Sequence, residues 1–381
     1  MSRSRLILLC ASFTLLLLLL TGAVLGRSRS NDSVYGGLKI FNEALHYVQS
    51  NYVEKVETKQ LMDGAYQGLV ATLDSDSEYF DSRQAKKLSE PPGPADVGIT
   101  PVRRGLIMRV LSVRAGSAAA RAGVEPGWFI RLIDGRLARE LSASRVLRAL
   151  SGAPGSTVEC TLYRPGDPKK IELELQRERR PQAPAILTEP RPGVAHLRLL
   201  WISEDAARAV RVALKDLPSE TRLLLDLRNN PGGSYEEAIR VANLFIPEGV
   251  IARLRDRQKE RSVYEARKRD HLWDAPVSIL VNRGTAGAAE LIAAALHGRG
   301  RARLLGEKTA GVGSFQESLP LPDGGVLRLS VAKYQDPGSK SWHETGVSPD
   351  EVLTPPEAGA EGDWLLEEAL ERITEAVPEA A

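Results

Sequence analysis

The spacing of apolar residues changes along the 381-residue chain, and each change predicts a different kind of element. Leu6 to Gly26 is 21 residues without a charge and includes the unbroken run Leu15 to Leu20. As a helix this stretch would span about 30 Å, the hydrocarbon thickness of a bilayer. Arg3 and Arg5 precede it, and Arg27 and Arg29 follow it. A signal-peptide core is usually about 7–15 residues, so this longer run predicts an uncleaved signal anchor, with a signal cleaved after Gly26 as the alternative. In both cases the remainder faces the periplasm or the cell exterior.

From Gly36 to about Ser89 apolar residues recur every three to four positions, as in Ile40, Ala44, Val48 and then Leu61, Ala65, Leu69. That spacing predicts helices. The cluster Pro91-Pro92-Gly93-Pro94 breaks it. Residues 97 to 177 then read as short strands over Leu106–Val113, Phe129–Ile133, Val158–Tyr163 and Ile171–Leu175, with one helix from Ser142 to Leu150. The proline-rich stretch Pro181 to Pro192 reads as a linker. From Val194 strands alternate with helices. Leu223 to Leu227, Val277 to Val281, Arg303 to Leu305 and Val326 to Val331 are strands, and Tyr235 to Phe245 and Ala286 to His297 are helices. Alternation of this kind predicts an α/β layer structure on a largely parallel sheet. A last helix, Asp363 to Ile373, carries Leu366, Leu370 and Ile373 on one face.

Composition narrows the function classes. Hydrophobic residues at 43% and charged residues at 26% are globular values and exclude wholesale disorder. With 51 basic against 49 acidic residues, the overall charge gives no footprint for nucleic acid. Two cysteines, one of them Cys10 in the apolar run, exclude a disulfide framework and leave Cys160 without an intrachain partner. The five histidines form no His-x-x-x-His or His-Glu-x-x-His pattern, so no metal centre and no cofactor is expected.

Three segments carry the chemistry. Leu224 to Gly233 reads Leu-Leu-Asp-Leu-Arg-Asn-Asn-Pro-Gly-Gly, a buried strand entering a turn whose glycines can leave backbone N–H groups exposed to a ligand. Asn282 to Glu290 (Asn-Arg-Gly-Thr-Ala-Gly-Ala-Ala-Glu) opens the alanine-rich helix. Gly306 to Gln316 (Gly-Glu-Lys-Thr-Ala-Gly-Val-Gly-Ser-Phe-Gln) follows. In this order the three segments resemble the carboxy-terminal processing, or tail-specific, serine peptidases. The resemblance extends over most of the chain after the apolar run. Asn51 to Glu54 and Leu73 to Asp81 look like the N-terminal helical region, Ser117 to Gly127 with Ile133-Asp134-Gly135 like a PDZ domain, and Leu319 to Gly324 and Gly346 to Asp350 like the closing segments. The fold it implies is α/β: a crotonase-like peptidase core with an inserted PDZ domain and an N-terminal helical region. The domains expected are 1–30 signal anchor or signal peptide, 31–92 helical region, 93–180 PDZ domain, 181–355 peptidase-like core and 356–381 C-terminal helix and tail.

The chemistry the resemblance implies is a serine nucleophile with a neutral lysine as general base, and backbone N–H donors for the oxyanion. In such peptidases the serine follows a Gly-(Ser/Thr)-Ala triplet, here Gly284-Thr285-Ala286, and the next residue is Gly287. The lysine is expected 25 positions on in a Gly-Lys-Gly turn, and here that position is Val312 between Gly311 and Gly313. Both positions of the dyad therefore lack their functional group. A glycine hydrogen cannot attack a carbonyl, and valine cannot accept a proton. Gln316 is retained, and Gly232, Gly233 and Ala288 are the expected N–H donors. In the PDZ domain the carboxylate-binding loop corresponds to Val97, Gly98 and Ile99, preceded by Asp96, which would repel a carboxylate if it faced the groove; Trp128 stands where an aspartate is common.

The resulting expectation is a membrane-anchored, extracytoplasmic pseudo-peptidase that binds protein tails or partner proteins without cleaving them, and that regulates or scaffolds an active peptidase relative. Two other readings accompany it. One is an active serine-type endopeptidase using displaced residues, for which Thr285, Ser314, Lys308 and His297 are the candidates. The other is a structural protein assembled as an oligomer through its terminal helices.

Overall fold

A computed structural model of the chain describes residues 14, 32–74, 76–88, 93–105, 107–181, 183–354 and 362–375. Apart from residue 14, the apolar run 6–26 expected to anchor the protein lies outside these residues, as do Pro91 and Pro92 of the proline cluster. Among the described residues no helix is long and apolar enough to cross a membrane. The chain forms two units divided between Gly68 and Leu69. The first holds the helix Asp32–Asn51 and most of the helix Thr58–Ala71. The expected helical continuation to Ser89 is interrupted in the second unit by the strand Glu78–Phe80, which pairs antiparallel with Val326–Arg328. Tyr79 and Phe80 are both 2% exposed, so burial beneath a distant strand overrides the local helical spacing.

In the second unit, residues 95–180 form a β-rich module. Its sheet runs Ile99–Arg104, Ile107–Val113, Phe129–Ile133, Thr157–Tyr163 and Lys170–Gln176, all antiparallel. The expected strands and helix lie within one or two residues of their positions. The helix is Ala143–Leu150 with Ser142 as its N-cap, and the strand Ile99–Arg104 comes in addition. Inward-facing Met108, Val110, Ile130, Val158 and Leu162 meet Val146 and Leu150 of the helix in one core.

The remaining residues build a six-stranded sheet in the order β1 (Ala185–Arg191), β2 (Val194–Leu199), β3 (Arg222–Asp226), β4 (Val277–Val281), β5 (Ala302–Gly306) and β6 (Glu351–Val352). β2 to β6 are parallel, and β1 joins the edge antiparallel. β1 thus replaces most of the linker expected at Pro181–Pro192. Helices α1 (Ala206–Leu214), α2 (Tyr235–Asn243) and α3 (Ala288–Gly298) share one core with Leu223 and Leu225, whereas α4 (Trp364–Glu375) packs on the other face with Leu224, Leu280 and Leu305. Burial on both faces explains the unbroken apolar run in β3, since successive side chains point opposite ways and each finds a core. Each such leucine contributes about 1.5–3 kcal/mol.

A second, five-stranded antiparallel sheet was not expected from the spacing. It orders Glu78–Phe80, Val326–Gln335, Val250–Asp256 and Glu260–Glu265, with Ser314–Pro320 also paired to Val326–Gln335. Burial along its strands follows no clean period, since Val250–Asp256 has three buried residues and Val326–Gln335 is mostly half-buried, and charges such as Arg253, Arg255 and Arg328 dilute the apolar signal.

Candidate active site

The first chemical segment follows β3 into a turn. Asn230 Oδ1 accepts the Gly232 N–H at 2.9 Å, and Asn230 Nδ2 donates to the Leu199 carbonyl at 2.7 Å, which fixes the turn against β2. Gly232 has φ +93°, and a Cβ there would lie 2.9 Å from the Ala286 carbonyl oxygen. Only glycine accepts that approach. Of the three expected N–H donors, Gly232 is therefore removed: its N–H already belongs to Asn230. The N–H groups of Gly233 and of Ala288, the first residue of α3, have no protein acceptor among the described residues.

Gly287 caps α3 with φ +59° and ψ −123°. A side chain in this conformation is strained by about 1–3 kcal/mol. Space is not the obstacle: a Cβ at 287 would be 3.7 Å from Gly232 Cα and 3.8 Å from the Tyr235 hydroxyl, ordinary contacts.

Glu290 gathers the segments. It is fully buried, and its carboxylate accepts the Gly287 N–H at 3.0 Å, the Gly311 N–H at 2.7 Å, the Val312 N–H at 2.7 Å and the Thr309 hydroxyl. The structure thus brings residues 287 and 312 to one buried side chain. Burial pushes the Glu290 carboxyl up to about 7, only partly opposed by these four donors.

Tyr235, the first residue of α2, was not singled out in the sequence. Its hydroxyl donates to the Val312 carbonyl at 3.1 Å, and its ring stacks on Tyr334 with centroids 4.0 Å apart and planes 12° apart. Trp342 Nε1 donates to the same carbonyl at 3.4 Å. Burial, with the nearby Glu290, raises the phenol well above its ordinary value, so it stays protonated as a donor. The only sequence signal was its place two residues after the Pro-Gly-Gly turn. Tyr235→Phe is expected to lower stability by about 1 kcal/mol, because Trp342 still serves the carbonyl. Chemical denaturation measures it, and an unchanged midpoint would remove the hydroxyl from this tie.

The displaced candidates are engaged elsewhere. Thr285 is fully buried, donates to the Leu227 carbonyl at 2.8 Å and accepts the Asn282 N–H at 3.1 Å. Ser314, 5% exposed, donates to Asp76 Oδ2 at 2.7 Å, and Gln316 Nε2 lies 3.5 Å from the Ser314 hydroxyl. Lys308 is exposed. His297, at the end of α3, has its Nε2 2.9 Å from Asp350 Oδ1. Among the described residues no three metal-ligating side chains cluster.

In the β-rich module, Asp96 is 4% exposed and turns away from the role feared for it. Its Oδ1 accepts the Gly98 N–H at 2.8 Å and Arg114 at 2.6 Å, and Oδ2 accepts Arg180 at 2.6 Å. The Gly98 N–H is consequently taken within the loop Val97-Gly98-Ile99. Trp128 is buried in the module core, with the Arg164 guanidinium over its ring. The strand Ile99–Arg104 pairs on one side only, with Ile107–Val113, and ends at Arg104, whose guanidinium donates to the Ala310 carbonyl at 2.9 Å.

Residues 193–353 match peptidase family S41, and residues 22–84 match the N-terminal domain of the activating protease CtpB. The carboxy-terminal processing protease CtpA of Bacillus subtilis is 31% identical over 345 residues, covering 88% of this chain and 73% of its own. A carboxy-terminal-processing protease of Bartonella bacilliformis is 29% identical, covering 86% and 78%. Among solved structures, the photosystem II D1 C-terminal processing protease superposes with a TM-score of 0.70 at 28% identity, covering 83% of this chain and 92% of that one. The chain belongs to peptidase family S41 and is a homologue of the carboxy-terminal processing proteases.

Proposed function

We propose that the protein is a membrane-anchored, extracytoplasmic pseudo-peptidase that holds peptides or partner proteins without cleaving them. The observation that carries this reading is the pair Gly287 and Val312, joined through Glu290 at the positions where the family resemblance calls for serine and lysine. Without a hydroxyl and an amine there, neither attack on a carbonyl nor proton transfer has a group to perform it. The bonding of Thr285 and Ser314 speaks against displaced nucleophiles. Tyr235 adds a further tie: its hydroxyl holds the 312 turn and lies 3.8 Å from where a Cβ at 287 would be.

For binding, residues 93–180 are read as a PDZ domain, and the one-sided strand Ile99–Arg104 offers an edge for strand addition. Pro101 within it and the Gly98 N–H already taken by Asp96 make this edge poorer in donors, so the terminal carboxylate of a tail is held less firmly than the strand itself. Residues 6–26 supply the anchor, and an active peptidase relative is the natural partner to regulate or scaffold.

The test is hydrolysis of casein by the full-length chain beside its Gly287→Ser/Val312→Lys variant. The natural protein is expected to be silent and the variant to gain measurable cleavage. Cleavage by the natural protein that survives repurification would overturn the reading, and its loss in Ser314→Ala would name the displaced nucleophile.

A further inference from the structure

The β-rich module carries a second concave surface on the outward face of its sheet, beside the end of Ile99–Arg104, where Arg104 pairs with Ile107 and Arg103 donates to the Arg139 carbonyl at 2.9 Å. Along Ile107–Val113 and Phe129–Ile133 the buried residues Met108, Val110, Ile130 and Ile133 point into the module core. Ile107, Arg109, Phe129 and Arg131 alternate with them and so lie on the outward face. There a groove of about 550 Å³ is lined by Ile107, Phe129, Tyr163, Arg131, Arg139 and Glu140, with backbone of the neighbouring core residues. Ile107 is 44% exposed, an apolar side chain left open to water.

The charge around this groove is one-sided. Neither Arg131 nor Arg139 has a carboxylate within 4.0 Å among the described residues. Arg109 lies with its guanidinium 5.0 Å above the Phe129 ring, and its Nε is buried without a partner. Glu140 is the single carboxylate of the lining. The imbalance extends to the whole module: residues 93–180 hold 16 basic and nine acidic side chains, whereas the rest of the chain holds 35 and 40. A nearly neutral protein thus concentrates its positive charge on the domain that carries the groove.

We propose that this groove is a docking site for an acidic–apolar peptide segment of a partner protein, with a large apolar side chain on Ile107, Phe129 and Tyr163 and carboxylates on Arg131 and Arg139. Guanidinium forks suit carboxylates in bidentate geometry, and an apolar floor with a charged rim is the usual anatomy of such sites. The charged side chains of Arg131, Arg139 and Glu140 in the lining suit groups presented by an adjacent chain better than a long acyl chain, which needs an apolar enclosure. The site is independent of strand addition and of any cleavage chemistry.

The experiment uses the full-length chain and two labelled twelve-residue peptides with the same aromatic and leucine positions, one flanked by Asp and Glu, the other by Lys. Both have amidated C-termini, so capture of a terminal carboxylate cannot contribute. Fluorescence anisotropy is expected to show binding of the acidic peptide at least tenfold tighter than the basic one. Arg131→Ala/Arg139→Ala is expected to weaken it at least tenfold, and added salt to weaken it steeply. Both arginines are exposed, so the variant leaves the core untouched. Equal binding of the two peptides, or undiminished binding by the variant, would overturn the proposal. So would loss of association with anionic phosphatidylglycerol vesicles in the variant without any acidic-peptide binding by the natural chain, which would make the face a membrane-surface contact.

Discussion

Glu290→Ala is expected to destabilise the protein by about 3–5 kcal/mol, because the lost carboxylate leaves several buried donors without an acceptor at once. Three of these are the N–H groups of Gly287, Gly311 and Val312, and the fourth is the Thr309 hydroxyl. Glu290, Gly287, Thr309 and Gly311 are all buried, so most of the donors it leaves are kept from water. Denaturation of the full-length chain followed by tryptophan fluorescence measures the loss; a change below about 1 kcal/mol would mean that Glu290 is not the tie between the two segments.

The same residue sets a pH dependence. Its folded carboxyl titrates near 7, above the ordinary 4.5, so between these values the folded state binds more protons than the unfolded one. Its contribution is therefore fully present below about pH 4.5 and is lost as pH rises through 7, by up to about 3 kcal/mol. The midpoint of the natural protein is expected to fall between pH 5 and 7, and that slope is expected to be absent in Glu290→Ala.

Asp226→Ala is the second large effect, again about 3–5 kcal/mol, and it acts through a stranded cation. Asp226 ends β3 fully buried. Burial alone would raise its carboxyl, but the Arg228 guanidinium, with help from His196 and Arg198, outweighs this and holds it well below the carboxylate range. Arg228 donates to Asp226 at 2.7 and 3.0 Å and reaches on to Asp363 at 2.8 Å, just before α4. Removing Asp226 leaves Arg228 buried with only the half-exposed Asp363, and it loosens α4 as well as the turn that leads to Gly232. The sign with pH is opposite to that of Glu290: this stability is present above about pH 4 and is lost as pH falls below it. Hydrogen exchange across α4 in Asp226→Ala checks the coupling, and unchanged protection there would separate the ion pair from the helix.

Much of the fold was legible because local spacing and local burial agree. In β3, β4, α2 and α3 the apolar pattern is continuous or strictly periodic, and the elements lie within a few residues of where the spacing puts them. Glu78–Phe80, Ala185–Arg191 and the assembly of the five-stranded sheet were not legible, although its central strand Val326–Gln335 was expected over Val326–Val331. Their strands are short, half-exposed or interrupted by arginines; Glu78–Phe80 and Val250–Asp256 owe their pairing to Val326–Gln335, distant in sequence, whereas Ala185–Arg191 forms a hairpin with Val194–Leu199 across a break of proline-rich sequence.

The candidate site divides the same way. The sequence by itself determined which groups are available: glycine at 287, valine at 312, a glutamate three residues after the first, and a Pro-Gly-Gly turn. Chemical identity and register belong to the chain and need no fold. The tertiary structure alone decided how those groups are used. It gave the Gly232 N–H to Asn230, turned Asp96 onto its own loop and two arginines, placed Tyr235 against the 312 turn, and gathered residues 287, 309, 311 and 312 on Glu290. Each of these is a choice among several polar partners within reach. Asn230 to Gly232 and Asp96 to Gly98 are bonds within single turns, but Tyr235 to Val312 and Glu290 to residues 309, 311 and 312 depend on backbone returns that no periodicity along the chain records.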